Sequence, residues 1–224
     1  MALPKLGYPT YELELPSTGK TIKYRPFLVK EEKVLLLALD SKDEKQVINA
    51  VKDLIKNCVT TRIKVDTLPS FDLEYLFLKI RGASIGENII LTVTCLDDNE
   101  TQVEATINID EVEVFKPEGH DKKIMFDDKT GIVMKYPSMK EFVEREFLQK
   151  EMKTEEVYDY IADSIDQIFD DEEVYDSSTT TKKEFRTFVD SLTTKQFEKI
   201  QQFYTTCPKL SHTFKVVNPN TGKE

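Results

Sequence analysis

The sequence predicts an α+β fold: an N-terminal β-hairpin with a cluster of helices, central β-hairpins, and a mainly helical C-terminal region ending in a strand. Two patterns carry that prediction. Apolar residues alternate with polar ones on either side of turn sequences at Ser17–Lys20 and Asp97–Glu100, the period of a strand with one buried face. Elsewhere they recur at three and four residues, most clearly over Val47–Ile55, Leu73–Ile80 and Phe185–Val189, the period of a helix with one buried stripe.

The first element is the hairpin. Tyr11, Leu13 and Leu15 alternate with Glu12 and Glu14, and Ser17-Thr18-Gly19-Lys20 closes the turn, with Gly19 supplying positive φ. Ile22, Tyr24 and Arg25 return as the partner strand, and Pro26 stops it because proline has no N–H to give the ladder. In the helix that follows, Lys30, Glu31, Glu32 and Lys33 solvate the first turn, while Val34 to Leu39 is apolar almost all round. The expectation is a helix buried against something larger than its own hairpin.

The polar break Ser41–Glu44 caps a second helix carrying Val47, Ile48, Val51, Leu54 and Ile55. Val59–Thr67 reads as a loop or edge strand. Ser70 is the candidate N-cap of a third helix, with Asp72 and Glu74 placed where the helix dipole favours acid, and Gly82 and Gly86 at its end. Asn88–Asp110 is a hairpin with the acidic tip Asp97-Asp98-Asn99-Glu100. That tip lacks the spacing and the distal Glu of a calcium loop, so it reads as a solvated turn. Glu111–Lys123 is charged and contains Pro117 and Gly119; it serves as a connector, giving regions 1–112, 113–122 and 123–224.

Beyond the connector, Lys123–Phe126 and Gly131–Lys135 flank a turn as a second strand pair. Ser138 and Glu141 have capping-box spacing before a helix with Phe142, Val143, Phe147 and Leu148 on its apolar face. Thr154 opens another helix, in which Val157, Tyr160, Ile161, Ile165 and Ile168 repeat, closed by the charge run Asp170–Glu173. Two more helices, Lys182–Leu192 and Thr194–Thr206, precede a strand from Leu210 to Val217 and the turn Asn218-Pro219-Asn220-Thr221-Gly222. With no second strand after that turn, the expectation is that the natural chain continues, or that the last strand adds to the edge of another chain.

Composition narrows function by exclusion. A net charge of −10 in 224 residues argues against nucleic acid as a partner. No apolar run approaches the length of a membrane span, and Met1–Lys5 lacks the core of a signal peptide. Three widely spaced cysteines fit a reducing compartment better than a disulfide framework. His120 and His212 have no acid or cysteine cluster beside them, and phosphate-loop, dinucleotide and nucleophile-elbow motifs are absent. The reading is therefore a non-enzymatic protein with no cofactor, metal or small-molecule substrate. What stands out is aromatic: the C-terminal helices carry more rings than one helical pair easily buries by itself, and core packing accounts for most of them while a partner covers part of the stripe. Phe185, Phe188, Phe203 and Tyr204, with Phe214 and Val216 of the final strand, are the candidate partner-facing residues.

Three stretches resemble a known family: MALPKLGYPTYELELPSTGKTIKYRPFLVKEEKVLLLAL, DLEYLFLKIRGASIGE and SLTTKQFEKIQQFYTTCPKL. They are similar to the baseplate hub subunit family of T-even-type contractile-tailed bacteriophages, particularly its cyanophage-like branch. The resemblance implies a virion protein of the tail baseplate, assembled in the host cytoplasm and engaging other baseplate or hub proteins and further copies of itself. A tail or baseplate assembly chaperone, absent from the mature virion, is the alternative. Some relatives carry a C-x-x-C in the central hairpin; here Asp98 stands where the second cysteine would, so no zinc site is carried over.

Overall fold

The computed structural model describes residues 7–138 and 153–223. The helix expected from Ser138 through Phe142, Val143, Phe147 and Leu148 falls outside the described residues. The chain is α+β and forms two compact units, Met1–Phe115 with Lys209–Glu224, and Lys116–Pro208.

In the first unit, β1 (Tyr11–Glu14) and β2 (Thr21–Tyr24) pair antiparallel. Gly19, at φ 68°, donates its N–H to Leu15 O at 2.8 Å and closes the turn as its sequence predicts. Three helices follow: α1 (Val29–Asp40), α2 (Glu44–Cys58) and α3 (Ser70–Ile85). Asp43 caps α2, its carboxylate accepting from the Lys45 and Gln46 N–H groups. Pro69, not Ser70, occupies the cap position of α3. The core gathers Ile22, Leu54, Ile55, Phe71, Leu73, Leu76 and Ile80. Gly82 is needed because Ile109 lies against it: a Cβ there would stand 2.5 Å from Ile109 Cδ1.

The expectation for α1 is overturned. It packs on α2 and buries only Glu31 and Ala38, while Val29, Val34, Leu36, Leu37 and Leu39 are 51–79% exposed. An all-round apolar sequence says that a helix needs cover; it does not say that the same chain provides it.

After α3, β3 (Asn88–Thr94) and β4 (Gln102–Asn108) form the central hairpin, and β5 (Glu113–Phe115) follows within the stretch read as connector.

The second unit is built on an antiparallel sheet of order β6-β7-β8-β9, comprising β6 (Lys123–Met125), β7 (Gly131–Met134), β8 (Ile165–Phe169) and β9 (Val174–Asp176). Its described helices are α4 (Thr154–Asp163), α5 (Lys182–Ser191) and α6 (Thr194–Thr205). Thr181 with Glu184, and Thr193 with Gln196, form reciprocal capping boxes that start α5 and α6. Here the expected single helix through Ile168 is corrected. Ser164 ends α4, donating to Tyr160 O, and its own carbonyl accepts the Lys135 N–H at 2.7 Å. Ile165 and Ile168 then belong to β8. They sit three apart yet are both buried, because the β7–β8 register shifts between Val133 and Met134. A bulge thus mimics helical spacing. The Asp170–Glu173 charge run is the β8–β9 turn, with Asp170 Oδ1 accepting from the Glu172 and Glu173 N–H groups.

The chain finally returns to the first unit. β10 (Lys209–Ser211) pairs antiparallel with β5, Lys209 opposite Phe115. The strand expected over Leu210–Val217 is thus shorter and finds its partner inside the chain, and Lys209–Glu224 groups with the N-terminal part rather than with 123–208.

Candidate protein interface

His120 and Cys58 have structural surroundings. His120 is buried, its Nδ1 2.9 Å from Thr206 Oγ1 and its Nε2 3.1 Å from Tyr136 Oη, and its ring stacks on Tyr136 and Phe203. Burial holds its pKa below the usual histidine value. Burial likewise pushes the Cys58 thiol up to about 11, which leaves it protonated and a poor nucleophile. Among the described residues, no group of three or more His, Cys, Asp and Glu is placed to hold a metal ion, and no helix is long and apolar enough to cross a membrane.

The acidic tip of the central hairpin works as a latch. Buried Asn218 donates through Nδ2 to Asp97 Oδ1 and Asp98 Oδ2, both at 2.8 Å, and Thr221 Oγ1 donates to Asp97. Asp98 also accepts from the Thr101 hydroxyl and from the Thr101 and Glu100 N–H groups. Thr221 and Asn218 hold the Asp97 carboxyl below its usual range, and Thr101 foremost does so for Asp98. The terminal turn that seemed to lack a partner strand therefore has a different role. It clips the tip of the β3–β4 hairpin.

The six candidate partner-facing residues separate into two groups. Phe185 and Phe203 are buried in the second unit's core with Ile132, Met134, Ile161 and Ile200, and Phe188 and Tyr204 pack partly buried against it. Core packing thus holds for these four rings, and the sheet residues Ile132 and Met134 supply cover that a helical pair alone would lack. Phe214 is exposed and Val216 half-buried, both after β10.

A run of exposed large apolar residues lies elsewhere, on α1. Val29 and Leu36 stand seven residues apart on one helix line opposite Glu31 and Ala38; Leu37 and Leu39 flank that line to form an arc, Lys33 and Asp40 share its side, and Val34 lies round the helix towards Ala38. The underside of α1 is anchored. Glu31 pairs with Arg25 at 3.1 Å and accepts the Leu28 N–H at 2.7 Å, while Arg25 lies over the Tyr8 ring. Desolvation raises the Glu31 pKa, but these bonds outweigh it and the net direction is down. Beside the arc, a groove of about 340 Å³ between α1 and α2 is lined by Val34, Ala50 and Leu54 with Lys30, Asp53 and Asn57. The run Val34–Leu39 is the sequence signal for this surface, and such a run looks the same in a core.

The model of the family described as T4 bacteriophage base plate protein matches residues 8–224. The chain belongs to that family. No curated protein and no solved structure matches it. Membership gives the protein a structural role in the phage base plate, a place in the virion tail and other base plate proteins as its neighbours. A base plate protein is built into an assembly, and the arc of α1 is the kind of surface that assembly covers.

Proposed function

We propose that this base plate protein is a structural subunit of the hub or inner part of a contractile tail's baseplate, akin to the T-even-type hub subunits and their cyanophage-like branch. It acts without catalysis, through contacts with hub proteins and with further copies of itself, and it travels from the host cytoplasm into the virion. The observation that carries this reading is the apolar run of α1, five large side chains exposed on a helix whose underside is fixed by the Arg25–Glu31 pair. Large apolar side chains left exposed along a helix mark a surface that another protein covers. Phe214 and Val216 belong to the contact surface by the same reasoning, being exposed or half-buried beyond β10.

Mass spectrometry of purified particles tests the proposal. Peptides of this chain at constant stoichiometry with other baseplate proteins are the expected result. Their presence in infected lysate and absence from particles would overturn it in favour of an assembly chaperone.

A further inference from the structure

We propose that the outer edge of β3 is a strand-acceptor site for an extended segment of another protein, uncharged and β-branched in its middle and basic at its ends. The proposal rests on the structural reading above, since it supplies one of the contacts that reading requires.

The backbone fixes which groups are available. Cys95 donates its N–H to Thr101 O at 2.8 Å, and Ile109 donates to Glu87 O at 2.8 Å. Between these points the β3–β4 register runs without a shift, from Asn88 opposite Asn108 to Thr94 opposite Gln102. In an antiparallel ladder the bonded positions alternate. Odd-numbered residues of β3 therefore bond to β4, and Asn88, Ile90, Thr92 and Thr94 turn their N–H and C=O groups outward. The sheet has only these two strands, so among the described residues that edge is unpaired.

The edge also lacks the usual defences. Natural edge strands are blunted by lysine, proline, a bulge or a covering element, and Asn88–Thr94 reads NIILTVT, with none of these. Ile90, on one face, is 67% exposed, and Leu91, on the other, is 43% exposed. An added strand would cover apolar surface on both sides while pairing its main chain, the usual basis of strand addition.

Charge selects the occupant. From Gly82 to Phe115 the sequence contains no Lys or Arg, while Glu87 stands before β3, Asp97, Asp98 and Glu100 stand after it, and Glu104 lies on β4. A second copy would bring the same acids to the same edge. An uncharged strand with Lys or Arg at its ends meets the pattern with opposite sign.

The test uses the full chain and a labelled ten-residue peptide of alternating Thr and Val with Lys at each end. In the free protein the amides of Ile90, Thr92 and Thr94 should exchange rapidly, while those of Leu91 and Val93 are protected. On adding peptide the outward amides should slow at least about tenfold, the effect of closing main-chain hydrogen bonds. Thr92→Pro removes an outward N–H and no β4 bond, so it should weaken peptide binding by about tenfold or more while the melting temperature changes little. Outward amides already protected in the free protein, or no protection on adding peptide, would overturn the proposal, as would unchanged binding by a folded Thr92→Pro chain. So would a concentration-dependent dimer abolished by that substitution, which would assign the edge to a second copy. Failure here with the chain still present in particles removes the strand-acceptor site alone. Absence from particles removes the structural-subunit reading without touching the exchange result.

Discussion

Asp72 concentrates the difference between what a residue type suggests and what its surroundings make of it. Its place in the first turn of α3 suggests an acid serving the helix dipole, yet it is fully buried and its carboxylate accepts the Ser17 N–H at 3.0 Å and the Ser17 hydroxyl. Nothing local announces a partner 55 positions away. Burial raises its pKa and the Ser17 bonds only partly offset that. A carboxyl with a raised folded-state pKa binds more protons folded than unfolded, so its contribution to stability is full below the ordinary value of 3.8 and declines as pH rises through the shifted one. Asp72→Asn, which can still accept from the Ser17 N–H, should flatten that slope in urea unfolding measured from pH 4 to 7. Asp72→Ala should cost about 1–3 kcal/mol by leaving the Ser17 groups without their acceptor. The aromatics divide in the same way. Phe203→Ala should cost about 3–5 kcal/mol as a core truncation, and Phe214→Ala should stay within about 0.5 kcal/mol in the isolated chain and lower incorporation into particles.

At the scale of elements, the sequence was most legible where structure is made by neighbours in the chain. The polar break that caps α2 through Asp43, and Gly19 in the first turn, are read within four residues and stand as expected; the Thr181–Glu184 and Thr193–Gln196 boxes are equally local and start α5 and α6. Legibility failed where an element is decided by what lies across from it. Ile165 and Ile168 continue a helical count but pair with Met134 and Ile132 across the bulge. The surface of α1 was hidden for a related reason, because Leu36 and Leu37 would look the same in a core as in an interface. Replacing both by Gln should leave the circular dichroism and melting temperature of the isolated chain nearly unchanged, and should reduce its recovery in assembled base plates several-fold. A loss of about 2–5 kcal/mol in stability, the cost of truncating core leucines, would mean that the arc is covered by the chain itself. The terminal latch makes its own prediction. Asn218→Ala removes the donor shared by Asp97 and Asp98, and should cost about 1–3 kcal/mol and speed amide exchange over Cys95–Thr101.

For the whole molecule, acid is the expected weak point. Backbone and side-chain bonds hold Asp127, Asp170 and Glu184 below their usual ranges, and the Ser178 bonds foremost hold Asp176 at about 2. A group with a depressed folded pKa contributes stability above its unfolded value and loses it as pH falls through the folded one. The urea midpoint should therefore drop as pH is lowered from the ordinary aspartate value of 3.8 towards about 2, and removal of Asp176 should soften that drop. The excess of acid also leaves the molecule at −10 near neutrality, a net charge that keeps copies of the chain apart in solution.

The threading of the chain through its two units has a consequence for synthesis. Because β5 pairs with β10, and the Asp97–Asp98 tip is clipped by Asn218, the first unit cannot close when Phe115 leaves the ribosome. It waits for all of Lys116–Pro208 to be made, an interval on the order of ten seconds at ordinary elongation rates. During that interval the nascent chain carries an open β5 edge and an unlatched hairpin beside the uncovered α1, while the second unit can fold as a continuous segment. Closure of the first unit therefore needs Lys209–Lys223, and a chain stopped before Lys209 should be caught by chaperones or proteases rather than reach the base plate.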